Sequence, residues 1–211
     1  FIISGMIGSA EGFWWDRLAD VLYGQNDIDT TLELPSGPFH VRLTGAGAAR
    51  RALDEVHVRL MPLSVDWINQ AVDALSSEFR VEHTLNRGAR PLTRKELLQL
   101  AANPLVTIGA HTTHHGLLIA QSAEAQFETI ATSKVELEAM LAREVRHFAY
   151  PFGANDRHSV GAVRRAGLAT ACTTKSGYVT PWSNPLSLPR RKVYDWDAWR
   201  FGRHLSAWGI A

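Results

Sequence analysis

Eleven residues, Ile108-Gly-Ala-His-Thr-Thr-His-His-Gly-Leu-Leu118, place His111 and His115 four positions apart, directly after an apolar run. Two imidazoles at that spacing face the same way if the backbone turns helically after the first. Neutral imidazole is the commonest protein ligand for zinc-like metals, and two of them plus a carboxylate make a hydrolytic metal site. The chemistry to expect is therefore metal-assisted hydrolysis. An isolated H-x-x-x-H is a weak signal, and three histidines in five residues can also be loop decoration; His114 is read that way. The context favours the metal reading: Leu105-Val-Thr-Ile-Gly-Ala110 predicts a strand, and loops leaving strand ends are where sites are commonly built.

A second segment has the same form. Val145-Arg-His-Phe-Ala-Tyr-Pro-Phe-Gly153 is an apolar run ending in Pro-Phe-Gly. A helical stretch then closes at Gly167, and Leu168-Ala-Thr-Ala-Cys-Thr-Thr174 follows, giving strand, loop, helix, strand.

The G-A-H-T-x-x-H-x-x-L block, F-A-Y-P-F-G, A-G-L-A-T-A-C-T-T and L-P-R, in that order, resemble the polysaccharide deacetylases of the NodB-homology, carbohydrate esterase family 4 group. The opening Gly8-Ser-Ala-Glu-Gly-Phe-Trp-Trp-Asp-Arg-Leu-Ala19 is similar to a branch of the same family. The resemblance covers most of the chain and is weakest between about Gln25 and Arg90. It implies an α/β fold, a distorted (β/α) barrel. It also implies removal of acetyl groups from N-acetylated sugars by a divalent metal, zinc as the first choice, held by two histidines and an aspartate. Position by position, His111 and His115 match the metal-binding histidines. Tyr150, Pro151 and Phe152 match the loop walling the substrate groove, with the Phe152 amide as a candidate oxyanion donor.

Two departures matter. The family's T-F-D-D-G motif supplies a general base and the third metal ligand, yet no Asp-Asp pair occurs in the 211 residues. Phe1-Ile-Ile-Ser-Gly is similar to the family's second strand, so the expectation is a fragment whose first strand–helix unit lies upstream, and which is itself inactive. Ala149 also stands where many members carry an arginine that orients the catalytic aspartate. Arg190 or Arg191 of Leu-Pro-Arg-Arg is a candidate replacement, with a plain surface arginine as the alternative.

The implied mechanism needs a carboxylate to take a proton, backbone N–H groups to hold the oxyanion, and a general acid for the leaving amine. The family's late L-x-x-H histidine has no clean counterpart. His204, the only histidine after His158, is the candidate, against a solvated helical position. Asp16 is the first substitute for the missing ligand; Asp156, Asp195 and Asp197 are weaker, and an aspartate at a helix start is commonly an N-cap. Trp14, Trp15, Trp196 and Trp199 are candidates for stacking on sugar rings, or simply core residues.

Composition fits a single enzyme domain over residues 1–211, long enough for a full core. The formal net charge of +1 leaves no electrostatic footprint for nucleic acid. No apolar run approaches the ~20 residues of a membrane span, and Phe1-Ile-Ile-Ser has no signal-peptide pattern. The single Cys172 excludes an internal disulfide and is expected to be small and buried.

The positioning elements follow from periodicity. Phe1–Ser4 predicts a strand and Phe13–Tyr23 a helix. Thr31–Leu34 and Phe39–Leu43 alternate as a β-hairpin across Pro-Ser-Gly-Pro. Ala48–Leu60 and Val65–Phe79 have helical spacing, the first with Leu53, Val56 and Leu60 on one face. Residues of about 24–91 thus form a hairpin and helical insertion over one face of the barrel. Thr93-Arg-Lys-Glu96 is a capping box opening a helix through Ala102. Strands at 105–110, 146–150 and 168–173 then alternate with helices at about 122–142 and 158–166.

Two functions remain open on this sequence: a metal-dependent carbohydrate deacetylase, or a catalytically inert relative that binds glycan as an accessory domain. Another amide hydrolase on the same scaffold is a weaker third. The two-histidine site should hold metal weakly, and an exposed barrel edge would leave dimerisation open.

Overall fold

The computed structural model describes residues 1–81 and 90–209. Its architecture is α/β, organised around two hydrophobic cores. Helix α1 (Trp14–Tyr23) turns Trp14, Leu18, Val21 and Leu22 inward. Strands β1 (Ile28–Leu34) and β2 (Gly37–Leu43) pair antiparallel across a two-residue turn at Pro35-Ser36. Period-2 alternation in β1 buries Ile28, Thr30, Leu32 and Leu34. The buried Thr30 hydroxyl is satisfied by Glu78, at 2.6 Å.

Helices α2 (Ala48–Leu60) and α3 (Val65–Glu78) close this first core with Ala52, Val56, Leu60, Ile68, Val72 and Leu75. Ala52 takes the central position expected of Leu53, which is only partly buried. Arg17 of α1 is drawn into the interface with α3, where it pairs with Asp73. The expected insertion therefore shares its core with α1; its stretch 82–89 lies outside the described residues.

The second core surrounds a row of parallel extended segments. β3 (His147–Ala149) pairs with β4 (Thr170–Cys172). Single bridges add Ala110 beside Phe148, Ile2 beside Ala110, and Leu188 beside Cys172. The row thus runs Ile2, Ala110, β3, β4, Leu188. Around it pack α4 (Arg94–Ala102), α5 (Ala123–Leu141) and α6 (Arg157–Arg165), contributing Leu97, Ile130, Leu137, Ala162 and Val163. Helix α7 (Ala198–Ala207) follows with no buried residue.

Two expected strands shrink to bridges. In 105–110 only Ala110 pairs; Leu105 is 93% exposed, and Asn103 captures its amide at 2.9 Å, so the first half is loop. In Phe1–Ser4 only Ile2 pairs, because Ser4–Met6 winds into a short 3-10 turn. Cys172 is half-buried. Among the described residues no helix is long and apolar enough to cross a membrane.

The capping box of α4 forms as expected, with Thr93 and Glu96 bonding each other's backbone N–H. Arg90 adds a forked pair to Glu96, at 2.6 and 2.8 Å. The Arg90 guanidinium first, then the Thr93 amide, holds the Glu96 carboxyl far below its usual 4.5. A carboxylate depressed in the folded state stabilises above its unfolded pKa and loses that contribution as pH falls. Glu96→Gln is therefore expected to flatten the loss of stability that sets in below about pH 5 and continues towards pH 2 in urea titrations. An unchanged pH slope would exclude this role.

Candidate metal site and its aromatic wall

His111 and His115 come together, through a route other than a helical turn. Ala110 is fully buried in the parallel row, donating its N–H to His147 O (2.8 Å) and accepting from Ala149 N (3.0 Å). The chain leaves the row at His111 and doubles back through left-handed backbone at Thr112 (φ 63°) and His115 (φ 60°). Such backbone costs on the order of 1 kcal/mol or more per non-glycine residue and persists only where its surroundings impose it. The buried Thr112 does so: its hydroxyl accepts from His115 N (2.9 Å) and its carbonyl from Ser4 N (3.2 Å). The two rings end with centroids 4.7 Å apart, inclined by 74°.

Each ring is prepared differently. His111 Nδ1 lies 2.7 Å from the Ala149 carbonyl oxygen. A carbonyl only accepts, so Nδ1 carries the proton and Nε2 keeps the lone pair, the usual arrangement behind a metal-ligating histidine. His115 Nδ1 is buried with no hydrogen-bond partner, a position costly to leave unsatisfied. Burial is the main cause lowering His111 below 6.5; Arg190 pushes the same way, against the Ala149 bond. Burial, then the neighbouring His111, brings His115 down to about 4. Both rings are thus neutral at physiological pH, the form that ligates.

The pair fits two corners of a divalent-metal site. Among the described residues no third His, Cys, Asp or Glu joins it. Asp16 does not complete it: it lies in the first turn of α1, its carboxyl raised by burial and by Asp20. Asp156 and Asp197 are N-caps of α6 and α7, the bland alternative for both. His114 points elsewhere, into a cleft of about 730 Å³ between the start of α3 and α5.

An aromatic wall borders the pair. The ring of Phe152, in left-handed backbone (φ 58°), lies 4.7 Å from His115, and Trp15, stacked on Phe13, lies 4.9 Å from the same ring. The Pro-Phe-Gly turn is closed by bonds from Gly153 N to Tyr150 O and Ala154 N to Pro151 O, which leave the Phe152 amide out of the ladder. Glycine is required after it, since Gly153 has φ 74° and a Cβ there would collide with Thr174. Tyr150 and Pro151 are buried behind this wall, and Tyr150 spends its hydroxyl on Leu186 O at 2.7 Å. Of the three groove candidates, only Phe152 is partly open.

Arg190 borders the site from the segment after Leu188, with Nε on Thr173 O (3.1 Å) and its charge felt by His111. His204 stacks on Trp196 at 3.8 Å and contacts Trp208, all within the C-terminal segment. Trp14 is core, whereas Trp199 is exposed. One residue was not singled out from the sequence. His57 of α2 lies edge-on to Trp14 (4.7 Å) and Phe152 (6.2 Å), and its charge contributes to lowering His115. The only hint was its position flanking Val56 and Leu60 on the buried face of α2.

The polysaccharide deacetylase family matches residues 66–171, half of the chain. Among solved structures, a Streptococcus pyogenes deacetylase, PplD, in complex with acetate shares 21% identity over 59% of this chain and 58% of its own, with a TM-score of 0.48. A polysaccharide deacetylase from Bacillus cereus shares 20% over 58% of this chain and 42% of its own (TM-score 0.44). IcaB from Ammonifex degensii shares 17% over 68% of each (TM-score 0.49). The chain thus spans little more than half, or less, of the first two. No curated protein matches.

Because the folded rings resist protonation, proton competition for metal should set in below the ~6.5 of free imidazole. Zinc affinity, measured by competition with a chromophoric chelator, is expected to hold from about pH 8 to pH 6 and fall only below that. It should collapse in His111→Ala and His115→Ala and change little in His114→Ala. Equal loss at all three positions would show that the ligand pair is misassigned.

Proposed function

We propose that this chain, which belongs to the polysaccharide deacetylase family, is the metal-binding part of a hydrolase that removes acetyl groups from an N-acetylated carbohydrate. The carrying observation is the pair of neutral, buried imidazoles, one with Nδ1 locked on Ala149 O and the other with an unpartnered Nδ1. His111 and His115 would hold a divalent cation, zinc being the first choice for two nitrogen ligands. When bound, such a cation supplies the Lewis acidity that activates water and polarises an acetamide carbonyl.

The chain's own residues account for the rest. The Ala149 carbonyl fixes the tautomer and tilt of His111, and Thr112 fixes the backbone of His115. Phe152 and Trp15, both packed against the His115 ring, would shield it from water and offer faces to a sugar. The Phe152 amide, free of the turn's own bonds, is the proposed donor to the developing oxyanion. His57, facing the Phe152 ring, is better placed than His204 to exchange a proton with the departing amine. The third ligand is proposed to be an aspartate that this sequence does not contain. The parallel row would then be part of the family's distorted barrel.

A second reading, an inert glycan-binding relative, is favoured by one observation: among the described residues no carboxylate joins the histidines. Acetate release from N-acetylated oligosaccharides by the protein in its natural full length, with and without chelator, separates the two. The hydrolase reading expects chelator-sensitive turnover that His111→Ala abolishes, and a kcat at least about a hundredfold lower in His57→Gln. Saturable oligosaccharide binding without acetate release would replace it with the second.

A further inference from the structure

Beyond the histidine pair, the segment after Leu188 carries three consecutive cations, Arg190, Arg191 and Lys192, which with Thr174 line a cavity of about 470 Å³. Among the described residues none of the three has a carboxylate within ion-pair distance, although seven other basic side chains do. Each is held in place by something other than an anion. Arg190 donates Nε to Thr173 O. The Arg191 guanidinium lies over Tyr178 at 4.3 Å and Trp208 at 5.2 Å, and the Lys192 ammonium over Tyr194 at 4.7 Å. Arg191 Nε is moreover buried without any acceptor.

Three fixed like charges around one cavity repel each other, and a buried guanidinium donor without acceptor is costly. An oxyanion would relieve both, and a guanidinium presents its donors in a fork that suits carboxylate and phosphate. The cavity also adjoins the site already described: Arg190 acts on His111, and Thr174 Oγ1 bonds the Phe152 carbonyl at 3.1 Å.

We propose that Arg190, Arg191, Lys192 and Thr174 form an oxyanion subsite that takes the acidic group of a sugar neighbouring the one presented to His111 and His115. That the carrier is a saccharide rests on the proposed deacetylase reading; the anion site does not. The preferred substrate is then an acidic polysaccharide bearing uronate or phosphate groups beside its acetamido sugars.

The test is calorimetric titration of the chain with glucuronate, inorganic phosphate and, as the neutral comparison, N-acetylglucosamine. Saturable binding of glucuronate, weakened by added salt, is expected, with Arg191→Gln weaker by about tenfold or more. Lys192→Gln, an exposed change that keeps the question answerable if the Arg191 variant does not fold, should weaken it severalfold. Glucuronate binding no tighter than N-acetylglucosamine, or unchanged in Lys192→Gln, would overturn the subsite. Phosphate binding that acetylated acidic oligosaccharides do not displace would overturn the saccharide carrier and leave a free-anion site. Glucuronate binding by a protein that releases no acetate would instead overturn the hydrolase reading alone.

Discussion

The candidate site depends on how Ala110 sits in the parallel row. Its two backbone bonds to His147 and Ala149 put the exit of one segment level with the exit of the next. His111 therefore leaves the row beside the strand end whose carbonyl fixes it, and Pro151-Phe152-Gly153 leaves just beyond. A side chain larger than hydrogen at the preceding residue would break this: a Cβ on Gly109 would lie 2.6 Å from the Phe1 ring and 2.9 Å from His147 O. Close approach of three backbones is thus the condition for bringing a histidine loop and an aromatic loop to one point. The left-handed residues Thr112, His115 and Phe152 are where the chain pays the steric cost of that convergence.

Much of this was legible because it is written in period and caps. The alternation of β1, the apolar stripes of α2 and α3, and the Thr93–Glu96 box each have a local cause, so helices and hairpin fall close to their expected bounds. The segments at Phe1–Ser4 and 105–110 did not become full strands because pairing is a property of neighbours, and each neighbour offers one residue of register. The histidine pair was legible from spacing, though by the wrong route. A helical turn was the simple way to align positions four apart, and the left-handed solution depends on Ser4 and Ala149, which are distant in sequence. His57 showed only as a helix position beside the buried stripe of α2; its relation to the site arises because Phe152, packed on the first core, meets it edge-on.

That packing explains why the two cores behave as parts of one site. Phe152 follows Tyr150, which is interior to the second core, yet its own ring packs against the first. The Phe152 ring then touches both His57 and His115, edge-on to each. Full burial of an aromatic side chain contributes about 1.5–3 kcal/mol; the partly buried Phe152 recovers a share of that against the backbone strain at the same residue. The strained turn is therefore held from both sides, and loosening either core would release the wall over the histidines.

Electrostatics completes the constraint. Burial and positive charge act on the imidazoles in the same direction: desolvation disfavours the charged ring, and Arg190 disfavours it again at His111. In many buried sites such a field would have to be neutralised by carboxylates, but here the cations of 190–192 are braced by rings and a carbonyl instead. The local potential is left positive on the side of the pair where Arg190 stands. A positive field beside neutral ligands is suited to negative charge that arrives with a substrate or develops on it, and unsuited to a cationic one. Under the proposed deacetylase reading, an acidic glycan is expected to be drawn to this face and a product amine, once protonated, to be disfavoured there.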